Sequence, residues 1–263
     1  MKKYWTIFKT EIASMAAFRA ASVIWALFDI FLVGAFPFIL LNILAHGGSL
    51  GTFNPRTIIT YYVTAAFFSN FIWTHPETGL SRDIKDGKMS NFVVKPYNVL
   101  FATLLHELAW KWARFLVFLP MLILFLALAY RHLAIPSLAQ LPYILAILPG
   151  AVFIYFLTAF LAGATAFWLE ENSAALSIFW IANGLLGGFY LPLALFPRWL
   201  NQVTRFLPWR YAVHEPIQAV MQQFTAIDII RVLFGQAMWI ALLYCLYRAV
   251  WHFGLKKYSA VGK

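Results

Sequence analysis

The chain has 263 residues, of which 62% are hydrophobic and 11% are charged. Together with a mean hydropathy of +0.74, this composition excludes an ordinary soluble globular protein and indicates a chain surrounded mostly by lipid. The net charge of +10 does not indicate a nucleic-acid partner, because the basic residues lie mainly between hydrophobic runs, where they report membrane topology.

The N-terminal segment, residues 1–20, predicts a helix lying in the membrane surface. Trp5, Phe8 and Ile12 recur at helical spacing, with polar residues elsewhere on the helical wheel. Charges return as far along as Arg19, so the segment lacks the uninterrupted apolar region of a cleavable signal. The alternative is a soluble extension of the first membrane span.

Hydrophobic runs near the ~20 residues that a membrane span needs occur six times along the chain. The sequence therefore predicts an all-α membrane protein with six transmembrane helices, in one transmembrane domain over residues 1–263. The predicted spans are 22–45, 57–75, 100–130, 140–169, 174–196 and 228–253.

The distribution of basic residues predicts the orientation of these spans. With both termini on one side, that side receives fourteen of the 20 Lys and Arg residues, including those of the 76–99 loop. Since Lys and Arg collect in cytoplasmic loops, both termini and residues 76–99 are predicted to be cytoplasmic.

The outer segment 197–227 is too polar to cross a membrane, yet it contains several aromatic residues. We predict one or two short re-entrant helices that dip into the outer interface and are broken at Pro208 and Pro216.

Signals for catalysis, metal binding and nucleotide binding are weak. Two His-Glu pairs, beginning at His106 and His214, lack the second histidine of a zinc-protease motif. The Gly-Lys pair ending at Lys88 fails as a phosphate-binding loop, because Arg82 replaces its first glycine and Met89 its final Ser or Thr. We therefore expect no catalytic residue, no metal site, no cofactor and no ATP bound by this chain.

Two acidic residues fall within predicted spans, where ionised groups are costly and often functional. Asp29 either faces a polar cavity on a translocation pathway or pairs with a basic side chain of another span. Glu107 lies one turn from Lys111 and close to Arg114, so a local ion pair is expected.

Span five contains Gly184 and Gly188, the spacing of a small-residue face that lets helices approach closely. We predict a helix-packing role for this pair, within the chain or across a dimer.

The stretch 79–98, "GLSRDIKDGKMSNFVVKPYN", is unusually charged for this chain. Leu80, Ile84 and Met89 fall on one face of a short helix, Gly87 suits the helix end, and Pro96 blocks its continuation. An amphipathic helix below the membrane suits docking into a cleft on a soluble partner; the alternative is a solvated connector.

These features resemble an ABC-2 type transporter permease, and more closely the subgroup known as DUF990. That subgroup carries a glycine-isoleucine-glycine stretch ending in a basic residue and proline, matched here from Gly79 through Ile84 and Gly87 to Lys95 and Pro96. Two further stretches are similar, "FWLEENSA" at 167–174 and "FYLPLALFPRWLNQVTRFLPWRY" at 189–211. The resemblance covers essentially the whole chain.

The resemblance implies a partner and a mechanism. Such permeases pair as homodimers or with a related permease, and two separate cytoplasmic ATPase subunits, which bind ATP and Mg, associate beneath them. Residues 79–98 would be the coupling helix, and the turn at 170–173 would contribute to the same contact surface. The interface implied in this way comprises Gly79, Arg82, Asp83, Ile84, Asp86, Gly87, Lys88, Lys95, Pro96, Glu170 and Glu171.

The resemblance also favours export across a bacterial inner membrane, with small amphipathic, drug-like or organic-cation compounds as cargo. Aromatic residues near the dimer axis and an acid such as Asp29 would suit such a cation. The alternatives are lipid or glycolipid translocation by the same machinery and a channel or scaffold without an ATPase. A membrane enzyme acting on lipid would need an acid, base or metal constellation, which the sequence does not show.

Overall fold

The computed structural model describes residues 34–89, 98–129, 133, 137–222 and 224–258. Within these ranges the regular elements are helical and there is no β-strand. The predicted N-terminal interfacial helix, residues 1–20, lies outside them. The α-helices are α1 (Gly34–Ala45), α2 (Pro55–Ile72), α3 (Pro76–Lys85), α4 (Val99–Ala129), α5 (Leu141–Ala164), α6 (Ser173–Leu186), α7 (Arg198–Thr204), α8 (Glu215–Met221) and α9 (Ala226–Lys257).

Two helical stretches within the described residues are long and apolar enough to cross a membrane, namely Leu138–Phe167 and Ala226–Lys257. The first contains α5 with a 3₁₀ turn at each end, and the second is α9. They correspond to the predicted spans 140–169 and 228–253. Shorter apolar helices are α1 and α6, so the count of six spans stays a prediction.

The helix of predicted span five is shorter than expected, because α6 ends at Leu186 rather than near residue 196. Gly188 has a positive φ of 87° and donates to Leu185 O at 3.1 Å, while Phe189 N donates to Gly184 O at 2.9 Å. This bonding pattern is a Schellman motif, which stops a helix where a glycine adopts the left-handed conformation.

The segment 197–227, which the sequence predicts to lie outside, contains two short helical stretches in its described part, of which the first is α7. The second has a π-helical turn, Arg210–His214, that runs directly into α8. Pro216 therefore does not break the helix as predicted. The wider π turn accommodates Pro216. In a π-helix, an N–H at position 216 would donate to Tyr211 O, but proline has no N–H. The Gln236 side chain of α9 donates to Tyr211 O instead, at 3.2 Å.

Helix α5 lies at the centre of the described bundle and contacts α2, α3, α6, α8 and α9. Large side chains such as Phe156 and Phe160 are fully buried there. Near the end of α5, the ring of Phe167 packs onto α9 at Gly254, where an added Cβ would lie 2.4 Å from the ring. This end of α5 is also where α3 packs, so the central helix positions the candidate site.

Candidate functional site

Helix α3 contains the first part of the predicted coupling segment 79–98, of which residues 90–97 lie outside the described residues. Local sequence accounts for both ends of α3. Pro76 occupies the first turn, where its missing N–H costs nothing. At the other end Gly87 has a φ of 75° and donates to Ile84 O, while Lys88 N donates to Asp83 O at 3.0 Å. This is again a Schellman motif, and it confirms the predicted helix end at Gly87.

The apolar face of α3 is buried against its own chain, and docking of this segment on a soluble partner stays a prediction. Leu80, Ile84 and Met89 are 7%, 5% and 0% exposed and belong to the same hydrophobic core as α5. The backbone N–H of Met89 is also satisfied within the chain, since it donates to the hydroxyl of Tyr258 at 3.2 Å. An amphipathic helix buries its apolar stripe against the nearest apolar surface, and here that surface belongs to its own chain.

Glu77, in the first turn of α3, is a buried junction between elements. Its side chain is fully buried, and its Oε1 accepts from Trp180 Nε1 of α6 at 2.9 Å and lies 3.2 Å from His75 Nδ1. The backbone of Glu77 packs directly onto Gly163 of α5, where an added Cβ would lie 2.7 Å from Glu77 Cα. Glu77 therefore joins α3 to α5 and α6 through both backbone and side chain.

A second junction joins α3 to the turn at 170–173. Ser81 Oγ donates to Asn172 Oδ1 at 2.8 Å within buried surroundings, and Asn172 Nδ2 donates to Thr165 Oγ1 at 3.3 Å. At the surface, Lys85 Nζ lies 3.6 Å from Glu171 Oε1. The structure thus brings together two stretches that the sequence separates by about ninety residues.

The opposite face of α3 is exposed and charged. Gly79, Arg82 and Lys85 are exposed along it, and the helix end adds an exposed ion pair in which Lys88 Nζ lies 2.7 Å from Asp86 Oδ2. Together with Asp83, which is half-buried, and with exposed Glu170 and Glu171, these residues form what we call the charged face. Its members are Gly79, Arg82, Asp83, Lys85, Asp86, Lys88, Glu170 and Glu171.

Hydrogen bonding shifts the pKa of three residues of this face in the direction of the ionised form. The hydrogen bond from Lys88 lowers the pKa of Asp86, and the same bond raises the pKa of Lys88. Hydrogen bonds from Ser173, with the nearby charge of Lys85, lower the pKa of Glu171. For Asp83, partial burial raises the pKa. At neutral pH the face therefore carries a pattern of both signs.

The short connection between α2 and α3, residues 73–75, is held by α4. His75 N donates to Glu107 Oε2 at 2.9 Å, and Lys111 Nζ donates to Trp73 O. The acidic and basic residues that the sequence suggested as a local pair thus both bond to the chain just before α3. This arrangement fixes where α3 leaves the bundle.

The two glycines predicted to form one helix-packing face do not do so. Gly188 follows the end of α6, and an added Cβ there would lie 3.1 Å from Leu193 Cγ and Tyr61 Oη. Gly184 lies within α6, and the ring of Tyr190 packs against it. A Cβ built at Gly184 would lie 2.2 Å from that ring. At both positions, the absence of a glycine side chain leaves room for side chains from elsewhere in the same protein.

The remaining predicted site residues, Asp29, Lys95 and Pro96, lie outside the described residues. Sequence reasoning missed the buried junctions, which comprise Glu77, Ser81, Gly163, Asn172 and Trp180. The only local signal was a Pro-Glu pair at a helix start, which is typical of any first turn. The burial of Glu77 depends on α5 and α6, which no local pattern reveals.

Comparison with known families identifies the chain as a whole. No curated protein matches it significantly. A sequence model of the family described as ABC-2 family transporter protein matches residues 30–262, which includes α3, the turn at 170–173 and every described helix. The helical architecture, the apolar helices suited to a membrane and this match lead to one conclusion: the chain belongs to the ABC-2 transporter family and is an integral membrane permease subunit of an ABC transporter.

Proposed function

We propose that this permease exports small amphipathic, drug-like or organic-cation compounds, and that a separate cytoplasmic ABC ATPase drives it by binding the charged face. ATP and Mg would be bound by that ATPase. The observation that carries the proposal is the division of α3 into a face buried in its own chain and a charged face open to a partner.

Such a division suits the transmission of force. A partner that displaces α3 would displace what α3 is attached to, since Gly163 of α5 packs on its backbone and Trp180 of α6 bonds Glu77. The end of α9 is attached as well, through the Tyr258 hydroxyl. Nucleotide binding could then favour one arrangement of these helices by its differential affinity for the two states.

A second permease, identical or related, would complete the transporter. The outward faces of α6 and α9 support this, because Ile178, Ile181, Ile230 and Phe234 are between 61% and 72% exposed. Apolar surface of this kind is covered in a membrane protein by lipid or by another helix. Which of these faces meets the second permease would be found by cross-linking cysteines placed on each.

The cargo proposal rests on Asp29 and the aromatic content of the chain, because a carboxylate and ring faces attract organic cations. Replacing Asp29 with Asn should reduce efflux of organic cations and leave a neutral amphipathic compound unaffected. Unchanged efflux of every tested cation would remove Asp29 as a cation site.

The ATPase interface is tested by charge exchange across the pair formed by Lys85 and Glu171. We expect Lys85→Glu to weaken binding of the ATPase by about tenfold, the factor given by about 1.4 kcal/mol, and to reduce ATP hydrolysis in the assembled complex. The double exchange Lys85→Glu with Glu171→Lys restores the pair within the chain but inverts the charges offered to a partner. Binding should therefore stay weak in the double variant.

The matched control is Arg231→Glu, which disrupts an exposed ion pair with Asp228 at 3.6 Å on α9. This pair lies on the side predicted to be outside, so ATPase binding should be unchanged. Full recovery of binding in the double exchange would show that only the pair within the chain matters. Equal weakening by Arg231→Glu would show a general effect of charge reversal.

A further inference from the structure

A cavity of about 350 Å³ lies between α2, α4 and α5. Its described lining is almost entirely apolar and includes four aromatic rings, from Phe71, Trp112, Phe115 and Phe153, together with the aliphatic side chain of Val152. The volume falls within the ~300–1,000 Å³ of typical ligand pockets. An apolar space of this size suits a hydrocarbon chain better than a polar solute.

Lys111 is the one charged residue among the described lining residues, and it lies at a defined level in the bundle. Its Nζ donates to Trp73 O, just beyond the end of α2 and one short connection before α3. The next residue, Trp112, is 58% exposed. Tryptophan and lysine are typical of the boundary between hydrocarbon and headgroups, so we place these two residues near that boundary, with lining residues on both sides of them along α4.

The chemistry of the lining selects the occupant. A peptide segment would bring backbone groups that this apolar space cannot satisfy, and an organic cation would meet the positive charge of Lys111. An amphiphile with an acyl chain and an anionic headgroup suits both the rings and the ammonium. Basic pockets between transmembrane helices bind anionic lipid headgroups in this way.

We infer that the cavity between α2, α4 and α5 is a binding site for an anionic phospholipid, with an acyl chain along Phe71, Phe115 and Phe153 and the headgroup phosphate at Lys111. The site is separate from the charged face and does not depend on an ATPase partner.

Native mass spectrometry of the purified full chain tests the site directly. The chain is mixed with equal amounts of phosphatidylglycerol and phosphatidylcholine of the same acyl composition, and the retained lipids are counted. We expect phosphatidylglycerol to be retained preferentially. Lys111→Gln should lower this preference roughly fivefold, as about 1 kcal/mol per basic residue near the membrane surface predicts, whereas Lys111→Arg should preserve it.

A second variant separates the lipid site from the role of Lys111 in folding. Val152→Phe keeps the charge and fills the cavity, so it should reduce the number of lipids retained. Its matched control is Leu242→Phe, a similar enlargement at a 53% exposed position on α9, which should retain lipid as the wild type does. Equal retention of the two lipids by the wild type, or retention unaffected by both Lys111→Gln and Val152→Phe, would overturn the inference.

Discussion

The packing of α3 on α5 makes Gly163 the position whose substitution is most informative. An added Cβ would lie 2.7 Å from Glu77 Cα and 2.8 Å from Glu77 O. Ordinary contact begins at 3.4 Å, so Gly163→Ala requires α3 to move away by about 0.7 Å, because a backbone cannot rotate aside as a side chain can. The same movement lengthens the 2.9 Å hydrogen bond from Trp180 to Glu77.

The free energy follows from two opposing effects. Overpacking of a well-packed contact costs about 1–3 kcal/mol, whereas alanine in place of a helical glycine gains about 0.5–1 kcal/mol. Taking the middle of each range, the net loss of about 1.3 kcal/mol should lower the thermal midpoint by roughly 3–5 °C for a chain of this size.

The measurement is thermal unfolding of the purified chain in detergent. The fraction of protein that stays monodisperse is determined after heating to each temperature. Gly34→Ala is the matched control, because no atom of the described residues lies within 4 Å of a Cβ built there, and it should leave the midpoint unchanged or slightly raised. If Gly163→Ala had the same thermal midpoint as the wild type, or if Gly34→Ala lowered the midpoint by as much, the close approach of α3 and α5 would be refuted.

Three further predictions use the same thermal assay. Gly188→Ala should cost about 1–2 kcal/mol, because alanine resists the left-handed conformation that Gly188 adopts with a φ of 87°, and an unchanged midpoint would contradict the Schellman ending of α6. Gln236→Leu should cost about 2–4 kcal/mol, since it removes the donor to both Ile147 O and Tyr211 O; a loss below about 0.5 kcal/mol would mean that these carbonyls find other donors. Arg210→Met should destabilise by about 3–5 kcal/mol, because it leaves Glu215, whose side chain is 14% exposed, without its cation, and a neutral result would contradict the partly buried pair at 2.8 Å.

Several local features could be predicted from the sequence because short-range bonding sets them. The predicted spans 100–130 and 140–169 agree closely with α4 and with the helical stretch Leu138–Phe167. The end of α3 at Gly87 was predicted from a glycine after a helical pattern, and the structure confirms it. These features need only the residues within one or two turns.

The length of α6 could have been read more accurately from the same signal. The Gly-Gly pair at 187–188 is a typical helix ending, yet the hydrophobic residues that follow favoured a longer span. The apolar composition continues beyond residue 186, but the helix stops there. A glycine in the left-handed conformation ends the helical hydrogen bonds even when the residues after it are hydrophobic.

What the sequence determined by itself is the kind of molecule: an apolar helical chain of the ABC-2 family with a short charged helix between predicted spans two and three. Only the tertiary structure decided which way that helix faces. Leu80 and Ile84 could have met a partner or the chain itself with the same helical spacing, and α5 is the surface they meet. Periodicity defines an apolar face, but its burial depends on which surface lies opposite, and that surface comes from residues distant in the chain.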